Sequence, residues 1–297
     1  MVRMLTALAI MAFCGCIMQP LPTDHAISVG TSGRGYLVRG VALGDRGIGY
    51  QRVRPGESTR FGTSTLIDAI ERAAQSVAEA FPGGRPLLIG DLSSPRGGAH
   101  RRHRSHRSGR DADLVFFVRD ADGMPAASAD WASFDRYGLA VVDGNLLRFD
   151  EARNWHLVRT LVLDPNAHVK WIFCSNDVKA RLLRYAVRHE PSARAVIRAT
   201  WILHQPARGD SHADHFHVRV GCAPDERSLG CVEEPPFWPW LSDAASKRSI
   251  AAGSRASDRQ LVAWLLGEEH VDEVGDVPRG RIDVAPQPTA VAGRDLH

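Results

Sequence analysis

Two short segments concentrate side chains able to bind a metal and to move protons: His103-Arg-Ser-His106-Arg-Ser-Gly-Arg-Asp-Ala-Asp113 and His212-Ala-Asp-His215-Phe-His217. In the second, a β-prone pattern continues through Val218 and Val220. Residues two apart on a strand share a face, so His215 and His217 project together while Phe216 turns to the core. In the first, Ser108-Gly109 lets the chain turn between His106 and Asp113, so a loop histidine and a carboxylate at a strand's start can converge. Two imidazoles, one carboxylate and an open coordination position describe a catalytic zinc site, in which a bound water is acidified toward neutrality.

Other readings compete at this level. A His-x-His pair is common on surfaces and in cores. The stretch from Arg96 to Arg110 holds six arginines and three histidines and has the look of a basic loop for phosphate or nucleic acid. Its basic residues are not interleaved with aromatics for base stacking, and an exported chain seldom meets nucleic acid, so no nucleic-acid partner is expected. No His-Glu-x-x-His helix supplies a glutamate base: Pro191 follows His189-Glu190, and Ala193 stands where the second histidine would be. A histidine must then do the proton work. Asp214 reads either as a carboxylate orienting a neighbouring imidazole or as an exposed strand-edge charge. Asp111 shares its parity with Asp113 and is placed to help fix it.

The elements that must position these groups are legible in outline. Leu66, Ile70, Ala73, Val77 and Phe81 recur at helical spacing, closed by Pro82-Gly83-Gly84. Pro86 to Leu92 reads as a strand, and residues 93 to 112 as a long loop of the kind that is more often functional than idle. Asp113 opens a second β-prone run. Asp150 to Leu163 reads as a helix, Val169 to Cys174 as a strand and Asp177 to Arg188 as a helix. A further helix follows Pro191, which suits a first helical turn, and His215 to Val220 is a strand. The expected fold is α+β, a central, mainly antiparallel sheet with flanking helices and the zinc site on one sheet face. No internal repeat is visible.

The chain's 297 residues, 44% hydrophobic and 24% charged, suit a soluble globular protein with one good-sized core. The formal charge of +3 suits an anionic surface without pointing to one. Arg3 and the apolar stretch of about ten residues from Met4 to Phe13 read as an export signal, too short to span a bilayer core of ~30 Å. Cys14-Gly15-Cys16 at its end resembles a bacterial lipobox with a lipid anchor on Cys16; the alternative is a plain cleaved leader. The expected organisation is a leader over 1–16, a linker over 17–35, the catalytic domain over 36–245 and a polar extension over 246–297. Within that extension Gln260 to Leu266 reads as a short helix, and residues 271 to 297 as disordered. Of five cysteines, Cys222 and Cys231 bracket a short loop and are expected to pair in an oxidising compartment; Cys174 reads as a buried small hydrophobe.

Gly90-Asp91-Leu92-Ser93, then Ser105-His106-x-Ser-Gly-x-Asp-x-Asp113, then His212-x-x-His215-x-His217-Val-Arg219 together resemble the penicillin-insensitive murein endopeptidases. These belong to the zinc peptidases that include lysostaphin-type enzymes, D-Ala-D-Ala metallopeptidases and hedgehog signalling domains. Gly49-Tyr50-Gln-Arg-Val-Arg54 and Arg60-Phe61-Gly62 are similar to that family's entry segment, and the resemblance runs over residues 36 to 235. It implies Zn²⁺ held by His106, Asp113 and His217, with His215 catalytic beside the metal and His212 assisting. It puts His103 either on a metal or in contact with ligands or substrate. A second metal on Asp150 and His156 is a weaker implication, since both lie on a helix and read equally as exposed. The implied reaction cuts the cross-link between D-Ala and meso-diaminopimelate in the peptide stems of peptidoglycan, in the periplasm. The arginine-rich loop, the few cysteines and the extension depart from the family pattern. A D,D-carboxypeptidase of the same group and a non-catalytic wall-binding lipoprotein stay open as alternatives, and the sequence does not set the oligomeric state.

Overall fold

A seven-stranded sheet organises the chain: β1 (Arg46–Gly47), β2 (Tyr50–Arg52), β3 (Leu87–Ile89), β4 (Asp111–Val115), β5 (Val169–Phe173), β6 (Leu203–His204) and β7 (His215–Val220), in the order β6-β5-β7-β4-β3-β2-β1. The structure, a computed structural model, describes residues 25–127 and 131–241. Neighbouring strands run antiparallel except for the β5–β6 and β2–β3 pairs. The architecture is thus the α+β fold with a mainly antiparallel sheet expected from the sequence.

The described helices are α1 (Ser64–Ala80), α2 (Glu151–Leu163), α3 (Asn176–His189) and α4 (Ala193–Ile202). Each starts where a short polar side chain caps it. Thr63, Asp150, Ser175 and Ser192 accept the backbone N–H groups of Leu66, Arg153, Val178 and Ala195, a contribution of about 1 kcal/mol each. Pro191 therefore precedes the cap of α4 instead of occupying its first turn. α1 buries Leu66, Ile70, Ala73 and Val77 along one stripe, as their spacing demands. α2 packs against α1, α3 and α4.

The core fills one side of the central strands. Ala112 and Leu114 on β4 and Phe216, Val218 and Val220 on β7 are at most 1% exposed. Phe116 meets Phe216, Phe149 and Phe134 edge-on there. Because side chains alternate along a strand, the odd-numbered neighbours of these residues must emerge on the other side. That side carries the histidines and aspartates.

Three features differ from the sequence expectation. The linker expected over 17–35 is already folded from Ile27, where Ile27–Gly30 and Gly35–Val38 form an antiparallel hairpin. Gly30 N–H donates to the Gly230 carbonyl, and Leu37 is 2% exposed. Long-range partners hold this hairpin, so no local periodicity announces it. β4 begins at Asp111, two residues before the expected start. A second sheet of four short strands, Val118–Arg119, Pro125–Ala126, Leu139–Val142 and Asn145–Phe149, extends the fold. Cys222 and Cys231 form the expected disulfide and Cys174 is buried. The leader and the extension over 246–297, with its expected short helix, lie outside the described residues. Among the described residues no helix is long and apolar enough to cross a membrane.

Candidate functional site

The register between β4 and β7 builds most of the site. His217 lies directly opposite Asp113, and Arg219 opposite Asp111. His215, two residues before His217, projects to the same face. The third contributor, His106, arrives on the loop between β3 and β4. That loop is pinned at both ends: Gly109 N–H donates to Ser93 Oγ at 2.9 Å, and Thr63 N–H to the Gly109 carbonyl at 2.8 Å. Gly109 has φ +77°, and a Cβ there would lie 2.5 Å from Leu37 Cδ1, so both the turn and the packing require glycine. His106 and His212 themselves hold positive φ, 58° and 53°. Non-glycine residues adopt this conformation at a cost of about 1–3 kcal/mol where the surroundings impose it, typically at functional sites.

His106 Nε2, Asp113 Oδ1 and His217 Nδ1 form a nearly equilateral triangle. Its sides are 3.2 Å from His106 to Asp113, 3.3 Å from His217 to Asp113 and 3.4 Å from His106 to His217. Tetrahedral zinc with nitrogen and oxygen bonds of ~2.0–2.1 Å has ligand–ligand edges of about 3.3–3.4 Å. His215 Nε2 stands 3.5 Å from the same Asp113 oxygen. Both Asp113 oxygens and His215 Nε2 are buried without a hydrogen bond of normal geometry. Buried polar atoms left unmatched in this way are costly unless something else binds them. The donor set therefore fits a divalent metal.

His103 Nε2 sits between two carboxylates, 3.3 Å from Asp113 Oδ2 and 3.1 Å from Asp91 Oδ2, beside the triangle. His212 packs near both strand histidines, with ring centroids 5.0 Å from His215 and 5.4 Å from His217. Among the described residues, the groupings able to hold a metal include His103, His106 and Asp113, and also His212, His215 and His217. All six residues singled out by sequence thus converge.

Electrostatics around Asp113 favour added positive charge. Burial opposes its ionisation, but His106 and His215 override that and hold its carboxyl well below the usual range. Burial lowers His215, yet the carboxylates of Asp113 and Asp214 beside its two nitrogens raise it to about 10. His106 is likewise raised, against its burial, by Asp113. Burial drives His217 down to about 3 despite its bond to Asp111, so its ring stays neutral, as a ligand must be. A cation sharing Asp113 would compete with the attraction that raises His215 and return that ring toward its neutral form.

Two acidic residues act on imidazoles. Asp214 Oδ1 is 2.6 Å from His215 Nδ1, the orienting role weighed from sequence. Asp111 does not hold Asp113: its Oδ1 accepts from His217 Nε2 at 2.8 Å and from Arg219 Nε at 2.6 Å. Strand parity put Asp111 on the right face, but the cross-strand register chose its partner. Asp150 and His156 do not form a metal pair. Asp150 is buried, caps α2 and pairs with Arg119, while His156 bonds Ser76.

The sequence did not single out Trp131 or assign a role to Asp91. Trp131 lies edge-on to His215 at 4.9 Å, and the Arg54 guanidinium lies over the indole, 5.8 Å from its centroid. Gly90 makes room for it, since a Cβ there would come within 2.4 Å of the indole. Asp91 is 1% exposed and collects Arg102, Thr59 and His103. Its place just after β3, the strand beside β4, was the available signal.

Residues 28–243 match the family model described as penicillin-insensitive murein endopeptidase. The chain is similar to the protein of that name from Haemophilus influenzae, 30% identical over 240 residues that cover 75% of this chain and 77% of the relative. It is also similar to the Escherichia coli K12 and Shigella boydii proteins of the same name. Each of these is 28% identical over 222 residues, covering 74% of both chains.

Proposed function

The chain belongs to the penicillin-insensitive murein endopeptidase family, and from that premise we propose that it is a zinc-dependent peptidase hydrolysing D-Ala–meso-diaminopimelate cross-links of peptidoglycan in the periplasm. The observation that carries the reading is the triangle of His106 Nε2, Asp113 Oδ1 and His217 Nδ1, with sides of 3.2 to 3.4 Å, placed beside His215. Those three residues would hold Zn²⁺, with His103 at the second oxygen of Asp113. Zinc bound there supplies Lewis acidity toward a peptide carbonyl and toward water.

The protein's own groups do the rest. Asp111 fixes the His217 ring so that Nε2 carries the proton and Nδ1 offers its lone pair. Asp214 holds His215 Nδ1–H, which leaves His215 Nε2 to take a proton from the attacking water and return it to the leaving amine. His212, whose Nδ1–H donates to the Asp210 carbonyl at 2.9 Å, presents Nε2 as an acceptor on the same side and assists His215. Trp131 covers one edge of His215 and excludes solvent from it. The expected leader places this activity outside the cytoplasm, with Cys16 as the attachment point if a lipid is added.

The test is zinc content together with product analysis on cross-linked and monomeric muropeptides. About one zinc per chain and conversion of cross-linked dimers to monomers support the proposal. Release of terminal D-Ala from monomers alone would instead make the chain a D,D-carboxypeptidase. Absence of both zinc and cleavage would leave a wall-binding module.

A further inference from the structure

The site face of the sheet does not end at the histidines. On β5, Phe173 lies opposite His217 and Trp171 opposite Arg219, so both rings emerge on the side that carries the candidate site. Phe173 is 5.4 Å from the His217 ring and 6.0 Å from His212. From there the rings continue outward. Trp171 stacks on Phe173 at 5.8 Å, Trp238 meets Trp171 at 5.2 Å, and Trp201 meets Trp238 at 6.0 Å.

This strip is held rigid, and its outer end is open. Trp238 Nε1–H donates to the Lys170 carbonyl at 2.7 Å, and Trp240 stacks behind Trp238 with its plane only 4° away. Trp201 nevertheless remains 57% exposed. A groove of about 230 Å³ runs beside the strip, lined in part by Phe237, Trp238, Lys170 and Glu233. Large indoles seldom stay in water without a purpose when they form a contiguous patch. A line of aromatic rings suits a pyranose chain, whose C–H faces stack on rings.

We infer that the strip of Phe173, Trp171, Trp238 and Trp201 is a saccharide subsite that binds the glycan strand carrying the cleaved peptide. The inference rests on the peptidoglycan reading, which also explains its position. A peptide stem of about four residues spans at most ~13 Å when extended. The sugar that bears it must therefore lie within a few ring widths of the scissile bond. Binding the sugar then raises the local concentration of the attached stem without any new contact to the peptide.

The experiment uses the full chain. Chitotetraose is titrated by calorimetry into wild type, Trp201→Ala and Trp238→Ala, with circular dichroism as the folding control. In parallel, kcat/KM is measured on disaccharide-bearing cross-linked dimers and on the same dimers stripped of sugar. Wild type should bind saturably, and both variants should bind at least tenfold more weakly. Trp201→Ala, at an exposed position, should lose cleavage of the sugar-bearing substrate by a similar factor while keeping that of the stripped peptide. Equal losses on both substrates, or unchanged saccharide binding in the variants, would overturn the subsite. So would a wild type that binds no saccharide while its indoles are shielded from a soluble quencher, because the segment after Leu241 would then occupy the strip. Since the titration needs no turnover, it reads out even if the proposed cleavage fails.

Discussion

His217 joins two carboxylates of a single strand: its Nε2 lies 2.8 Å from Asp111 Oδ1, while its Nδ1 faces Asp113 Oδ1 at 3.3 Å. An imidazole that donates through one nitrogen has its tautomer set, and the other nitrogen becomes a directed lone pair. Asp111→Ala should therefore weaken zinc binding by about 10–100-fold, the usual effect of losing a partner that orients a ligand. Asp111→Asn, which keeps an acceptor oxygen, should fall between this variant and wild type. Competition with a chromophoric chelator measures both, and unchanged affinity in the alanine variant would refute the orienting role.

The proposed metal and proton roles should separate by substitution. His217→Ala should lose both zinc and activity. His215→Ala should keep zinc while activity falls by about 10²–10⁴-fold, the range expected for a general acid–base group. Metal analysis beside muropeptide kinetics checks this pair. Loss of zinc in His215→Ala would move His215 into the ligand set.

Gly109→Ala tests the loop that delivers His106. The new Cβ would meet Leu37 and would sit at φ +77°, so the variant should lose more than about 1 kcal/mol of stability. A lowered thermal midpoint, with zinc affinity reduced as His106 shifts, is the expected result. An unchanged midpoint would show that the loop can re-form around the methyl group.

His156 should make folding sensitive to mild acid. Burial, with Arg159 nearby, lowers its folded pKa below 6.5, so the unfolded chain takes up a proton first as pH falls. Stability is then full above about pH 6.5 and declines as pH drops toward the folded pKa, below which this contribution levels off. Urea midpoints between pH 7 and pH 5 should fall more steeply for wild type than for His156→Gln. Equal slopes would assign the acid sensitivity to other groups.

Elements with a strong local pattern were legible from the chain alone. The apolar stripe of α1, the helices read over Asp150 to Leu163 and Asp177 to Arg188 and the alternation on β7 are all set by residues a few positions apart, and the structure shows each close to its expected bounds. The hairpin of Ile27–Gly30 and Gly35–Val38 was not legible. Its partners at Gly230 and Cys231 lie almost the whole fold away in sequence, and its two strands of four residues are too short to establish a pattern. The four short strands after β4 were missed for a similar reason, being too brief to establish a period of two.

For the site, residue types and strand parity drew out His106, Asp113, His215 and His217, because metal-binding side chains are chemically few and alternation assigns a face, while the family resemblance added His103 and His212. What parity leaves open is which residue stands opposite which. The register of β7 on β4 put His217 across from Asp113 and gave Asp111 to His217 and Arg219, since a cross-strand pair depends on how two distant segments align. The aromatic neighbours, Trp131 against His215 and Phe173 against His217, were decided by tertiary packing alone. An indole or phenyl ring reads in sequence as core, and only its position in the folded chain shows that it faces the site.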